Sequence, residues 1–126
     1  MQHISAEREE SIMEETNQGF YFNSECIAKD LGGGVKRKVM SHGKDLMLCH
    51  LWFEKGAVGA LHSHPHVQTT YILKGKFQFT IGDETKVVSE GDALYKISGI
   101  THGCVCLEEG ELLDVFTPER EEFLDC

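Results

Sequence analysis

No apolar run in these 126 residues approaches the ~18 needed for a membrane-crossing helix, and the first residues form no apolar signal segment. The chain is therefore expected to be soluble and cytoplasmic, with no membrane partner. No basic stripe is present to neutralise phosphates, and nothing resembles a helix-turn-helix, so nucleic acid is not an expected partner. The five cysteines (Cys26, Cys49, Cys104, Cys106, Cys126) are odd in number and form no CxxC pair. They read as buried or half-buried thiols of a reducing compartment, not as a disulfide framework. Gly32-Gly33-Gly34 has no P-loop or dinucleotide context after it and reads as a turn. No internal repeat, linker or low-complexity run appears. The length suits one domain with one core.

The charge is uneven. The formal net charge is −9, with −4 in residues 1–16 and −7 in residues 108–126, which leaves 17–107 at +2. The middle of the chain can thus receive a small anionic substrate. Residues 1–18 read as an acidic leader, frayed, partly ordered or packed on a partner subunit, with Ser5 a candidate N-cap. Residues 19–126 read as the folded domain.

From Val35 onward the rhythm is all-β. VKRKVM alternates, and a turn is expected at His42-Gly43 before Lys44-Asp45. LMLCHLWF (46–53) is apolar on both parities apart from His50 and reads as a strand buried on both faces. Strands follow at 69–73, 77–81, 85–88, 93–97, 102–107 and 111–116. The turns between them fall at Lys74-Gly75, Gly82-Asp83, Glu90-Gly91-Asp92, Ser98-Gly99 and Glu109-Gly110. Short strands recurring every 8–12 residues with glycine at the turns predict a sandwich or barrel. Phe20, Tyr21 and Phe22 read as an early strand or an edge covering. A short helix is expected over 119–124, with Thr117 as N-cap and Pro118 in its first position.

The chemistry concentrates between Gly56 and Gly75. His62, His64, His66 and Gln68 lie within seven residues. Imidazole nitrogens and an amide oxygen suit a borderline divalent ion. Residues two apart on a strand face one side, so His62 and His64 aim into one space. Gln68 shares their parity and can add an oxygen. His102, after the Ser98-Gly99 turn, is the candidate third imidazole. Pro65 interrupts the strand before His66, which is expected beside the ligands or facing solvent. His3, His42 and His50 have no such setting.

The spacings carry a resemblance. Gly56, five residues, His62-Ser63-His64, three residues, Gln68, six residues and Gly75 resemble the first cupin motif. Gly91, five residues, Ile97, one residue, Gly99, two residues, His102, three residues and Cys106 resemble the second, 15 residues later. The resemblance implies an all-β fold, a single double-stranded β-helix (jelly-roll barrel) with a short C-terminal helical turn. Gln68 stands where most cupins have Glu, so the expected ligand set His62, His64, Gln68 and His102 carries no charge and leaves a divalent ion at +2. Ile97 and Cys106 replace the usual Pro and Asn at scaffold positions.

A narrower resemblance covers about residues 20–124, through GVKRKVM, HSHPHVQ and DVFTPEREEFL. It is to the small cupins of pectin and alginate degradation that linearise 4,5-unsaturated monouronates. It implies one divalent transition ion (Zn, Ni, Fe or Mn), an anionic sugar substrate, a homodimer, and functional roles for Asp114, Phe116 and Arg120. Read by themselves, these three have plainer explanations: an ion-paired carboxylate, a core aromatic and a helix-surface ion pair. Two other activities fit the same residues. One is a metal-dependent cupin dioxygenase or other small-molecule cupin enzyme; the other is a sugar-acid-binding cupin without catalysis.

Overall fold

A computed structural model describes residues 17–124. The leader expected over 1–18 therefore lies outside the described residues, apart from Asn17 and Gln18, as do His3 and Cys126. Eight strands account for most of the rest: β1 (Lys29–Gly32), β2 (Val35–Gly43), β3 (Leu46–Phe53), β4 (Val58–His62), β5 (Val67–Ile81), β6 (Glu84–Ser89), β7 (Ala93–Lys96) and β8 (His102–Thr117). All pairings are antiparallel, and the all-β jelly roll expected from the sequence is the fold. Among the described residues no helix is long and apolar enough to cross a membrane.

Two strands organise the sandwich. The first half of β5 pairs with the second half of β8, in a layer that continues through β3 and β2 on one side and β7 on the other. The second half of β5 pairs with the first half of β8, in a layer completed by β4 and β6. β5 and β8 thus pass together from one layer to the other. Lys74-Gly75 and Glu109-Gly110, expected as turns, are where they do so without breaking. The register shifts between Ile72 and Phe77.

Glycine is required there for space. A Cβ on Gly110 would lie 2.5 Å from the Lys74 carbonyl oxygen and 2.7 Å from the Phe77 ring, and one on Gly75 would lie 2.6 Å from Gly110 Cα. Gly75 also has φ +87°, a left-handed conformation that side chains disfavour. Gly110→Ala is therefore expected to destabilise the fold by about 3 kcal/mol or more, through overpacking against backbone that cannot move away. A thermal melt checks this; a melting temperature within ~2 °C of wild type would show that the crossing can open.

Other expectations shift in detail. Phe20–Phe22 form no strand; they precede a single 3-10 turn, Asn23–Glu25, and Phe20 and Phe22 are exposed. Tyr21 lies against the end of β2, its hydroxyl donating to His42 O at 3.2 Å. His42-Gly43 ends β2, and the turn falls on Lys44-Asp45. β3 is buried on one face only: Met47, Cys49 and Phe53 point inward, whereas Leu46 is exposed and His50 stacks on Trp52 at 3.9 Å. The C-terminal helical turn is a 3-10 turn over Glu121–Phe123, and Thr117 belongs to β8. That turn begins at Glu121, after Arg120, so Pro118 precedes it and does not open it.

The core falls into two clusters. Val35, Phe53, Ala57, Ile72, Phe77, Phe79, Leu94, Cys104, Cys106 and Leu112 form the main apolar cluster, and Met47, Cys49 and Phe116 form a smaller one. Cys104 and Cys106 share the inward face, as strand parity requires, and burial pushes the Cys104 thiol up to about 11. The space beside these clusters is where inward-facing polar residues gather.

Candidate functional site

The register explains how two distant stretches meet. β4 pairs with β8 so that His62 stands directly across from His102. His64 lies beyond the end of β4, so strand alternation does not place it. Instead the Gly99 N–H donates to the His64 carbonyl at 2.9 Å and fastens the HxH stretch to the turn before His102. The nitrogens of His62, His64 and His102 lie within 4.8 Å of one another. His102 and His64 are buried, and His62 is at the mouth.

Each ring is oriented by one backbone carbonyl. His62 Nδ1 donates to Ala60 O at 2.7 Å, His64 Nδ1 to His66 O at 3.1 Å and His102 Nδ1 to Ile100 O at 3.0 Å. A carbonyl can only accept, so each Nδ1 carries the proton and each Nε2 keeps its lone pair. Metal-bound histidines are held in this way. His102 Nε2 is buried with no hydrogen-bond partner, an arrangement that a cation at the centre would relieve. His64 Nε2 and Gln68 Oε1 face each other at 3.0 Å. Two lone pairs at that distance repel unless a cation lies between them. Burial lowers the pKa of His64 and takes that of His102 down to about 4, so both rings stay neutral and available as ligands. The donor set fits a divalent transition ion: His62, His64 and His102 can hold it, and Gln68 offers an oxygen. His66 supplies its carbonyl to His64 and stays outside the triad.

A cavity of about 320 Å³ opens beside the triad, within the range of small-molecule sites. Gln68, Asp114, Phe116 and Arg120 line it along with His62 and His102. Asp114 stands across from Thr70, and Phe116 across from Gln68. Phe116 is buried and meets the His64 ring in a T-shaped contact, ring centroids 5.9 Å apart. Arg120 lies over the Phe116 and Phe123 rings, 5.3 and 4.4 Å from their centroids. Its Nε donates to Glu122 Oε1 at 3.1 Å, so the ion pair considered from the sequence is present as well. Glu119 fixes this tail: its N–H donates to Lys44 O at 3.2 Å, and its carboxylate lies 2.8 Å from His42 Nδ1.

Two residues of the site were not singled out in the sequence. Lys96 is 1% exposed and donates to Thr70 Oγ1 at 2.7 Å, and the Thr70 hydroxyl reaches Asp114 Oδ1 at 2.5 Å. An ammonium has no acceptor, so the Thr70 proton must go to Asp114. The chain of bonds therefore runs in one direction, from Lys96 through Thr70 to one oxygen of Asp114. Burial lowers the pKa of Lys96, and the Asp114 charge partly opposes this. The available signal was parity: Lys96 shares the inward face with Leu94, where a lysine needs a partner. Arg37 was the other; it shares its strand parity with buried Val35 and also lines the cavity.

Comparison with known proteins bears on the family and the fold. The cupin domain family matches residues 50–116. The pectin degradation protein KdgF of Dickeya dadantii is 38% identical over 107 residues, covering 83% of this chain and 97% of that protein. An RmlC-like cupin from Shewanella frigidimarina superimposes with a TM-score of 0.81 at 36% identity, covering 86% of this chain and 97% of the other. KdgF from Halomonas superimposes with a TM-score of 0.79 at 34% identity, covering 83% and 99%. With both histidine motifs in place on a jelly roll, the chain belongs to the cupin domain family.

Proposed function

We propose that this protein is an enzyme that converts 4,5-unsaturated monouronates, released from pectin or alginate, to linear keto-sugar acids. The observation that carries the reading is Asp114, a buried carboxylate with one oxygen held by Thr70, in the wall of the cavity that the histidine triad borders. The pectin-degradation name of the D. dadantii relative supports the substrate class. The free cysteines among the described residues are in keeping with a cytoplasmic setting.

The reaction is an isomerisation. The hemiacetal gives up the proton of its C1 hydroxyl, and the bond from C1 to the ring oxygen breaks. The aldehyde forms at C1 and the ring oxygen leaves as the C5 enolate. A proton added at C4 turns that enolate into the ketone. Asp114 is placed to take the first proton and deliver the second, through the oxygen that Thr70 leaves free. Arg120 offers guanidinium hydrogen bonds to the substrate carboxylate, and Phe116 bounds the sugar on the triad side. His62, His64, His102 and Gln68 would hold the ion, which supplies Lewis-acid polarisation of a substrate oxygen.

Absorbance of the conjugated enol ether gives the direct test. Metal-loaded protein should remove the chromophore of unsaturated galacturonate with one product per substrate consumed, and chelated protein should not. Metal-loaded protein that leaves the absorbance at the spontaneous rate would exclude the assignment.

A further inference from the structure

We propose that Arg37 is the second arm of a carboxylate cradle that it forms with Arg120 around Phe123. The proposal rests on the reading of the site as a uronate site and adds a substrate-binding residue to it. Arg37 lies on β2, two residues after buried Val35, so strand parity turns it toward the interior. Its register neighbours offer it no carboxylate: Lys29 across β1, Leu51 across β3, and Leu112 beyond that on β8. An arginine in such a row calls for a partner. No carboxylate pairs with it among the described residues. Its Nε is buried without a hydrogen bond, and its guanidinium lies 3.6 Å from the Phe123 ring centroid.

The charges around the cavity sharpen the point. Arg37, Lys96, Arg120 and Asp114 are the ionisable cations and acid that line it with the histidines. Lys96 is committed to Thr70, and Arg120 has Glu122 at 3.1 Å. Among the described residues Arg37 is left with a ring contact alone. In a chain of net charge −9, the cavity is thus a positive pocket whose least-satisfied donor is Arg37. Arg37 and Arg120 both lie against Phe123, one from β2 and one from the tail. Two guanidiniums held by one ring suit a planar, delocalised anion. Arg37 lines the cavity, where its guanidinium can meet an incoming carboxylate.

The test uses metal-loaded protein and two non-reacting probes, galacturonate and galactose, followed by titration calorimetry. Wild type should bind galacturonate in preference to galactose. Arg37→Met should weaken galacturonate about 10- to 100-fold, the loss of a charge-assisted pair, while leaving galactose unchanged. Arg37→Lys, which keeps the charge and the apolar stem, should lie between and serves if the Met variant does not fold. Metal content and melting temperature are read on the same samples. With unsaturated galacturonate, Arg37→Met should raise KM by a similar factor and change kcat less than about threefold. A lowered melting temperature with unchanged galacturonate affinity would make Arg37 a clamp for the tail and overturn the proposal. So would a wild type that does not prefer galacturonate. If turnover is absent but Arg37→Met still loses galacturonate, the cradle stands and the linearisation reading falls. If turnover is present and KM does not move, the reading stands and the cradle falls.

Discussion

Asp114→Asn is expected to lower kcat on unsaturated galacturonate by about a hundred- to ten-thousandfold, the range for removing a positioned general acid–base group. The amide is nearly the same size, and its oxygen can still accept the Thr70 hydroxyl proton. The hydrogen-bonded run from Lys96 through Thr70 is thereby kept, and the cavity keeps its shape. What is lost is the ability to take a proton and give it back. The histidine triad does not include Asp114, so metal content should be unchanged. KM should change little, because Asp114 is not the group expected to hold the substrate carboxylate. The measurements are the chromophore assay and metal analysis on one preparation. An Asn variant with wild-type turnover would remove Asp114 from the mechanism. A variant that also lost its metal would show that Asp114 acts by supporting the site.

The parts of this architecture that follow local rules were legible in the sequence. The two glycine-bracketed histidine motifs marked the fold, and strand parity put Asp114 and Phe116 on one face. Less legible was whatever depends on a partner far along the chain. Gly75 and Gly110 look like turn glycines by local chemistry, yet they mark the crossing of β5 and β8. Only the pairing of two strands shows that their backbones must approach without a Cβ between them. His64 shows the limit of periodicity in another way. It shares parity with His62 but sits outside β4, and its carbonyl bond to Gly99 puts it in place. Lys96 and Arg37 broke the alternation of their strands. A charge at an inward position signals an unpaid desolvation cost, but the sequence does not say which group offsets it. Among the described residues the structure supplies Thr70 and Asp114 for Lys96, and only a ring for Arg37.

Removing the metal site should have an effect as large as removing the acid, by a different route. The wild-type protein is expected to hold one divalent transition ion per chain, and His102→Ala should weaken that affinity at least about a hundredfold. Loss of a group that merely orients a ligand costs 10- to 100-fold, and His102 is itself a ligand in this geometry. Metal analysis after dialysis against a limiting chelator reads the difference; an Ala variant retaining as much metal as wild type would refute the assignment of His102. A second readout needs no metal. Burial holds the folded-state pKa of His102 at about 4, against 6.5 for the free side chain. Between those values the unfolded chain binds the proton and the folded chain does not, so this group makes the apoprotein less stable as pH falls from about 6.5 toward 4. The contribution is fully present above 6.5 and is lost on the way down. Apo wild type should therefore lose more melting temperature between pH 7 and pH 5 than apo His102→Ala, even if the variant starts lower. Equal slopes would mean that His102 is not held neutral by its burial. The ligand role predicted here requires that it be held so, since a protonated imidazole has no lone pair to offer.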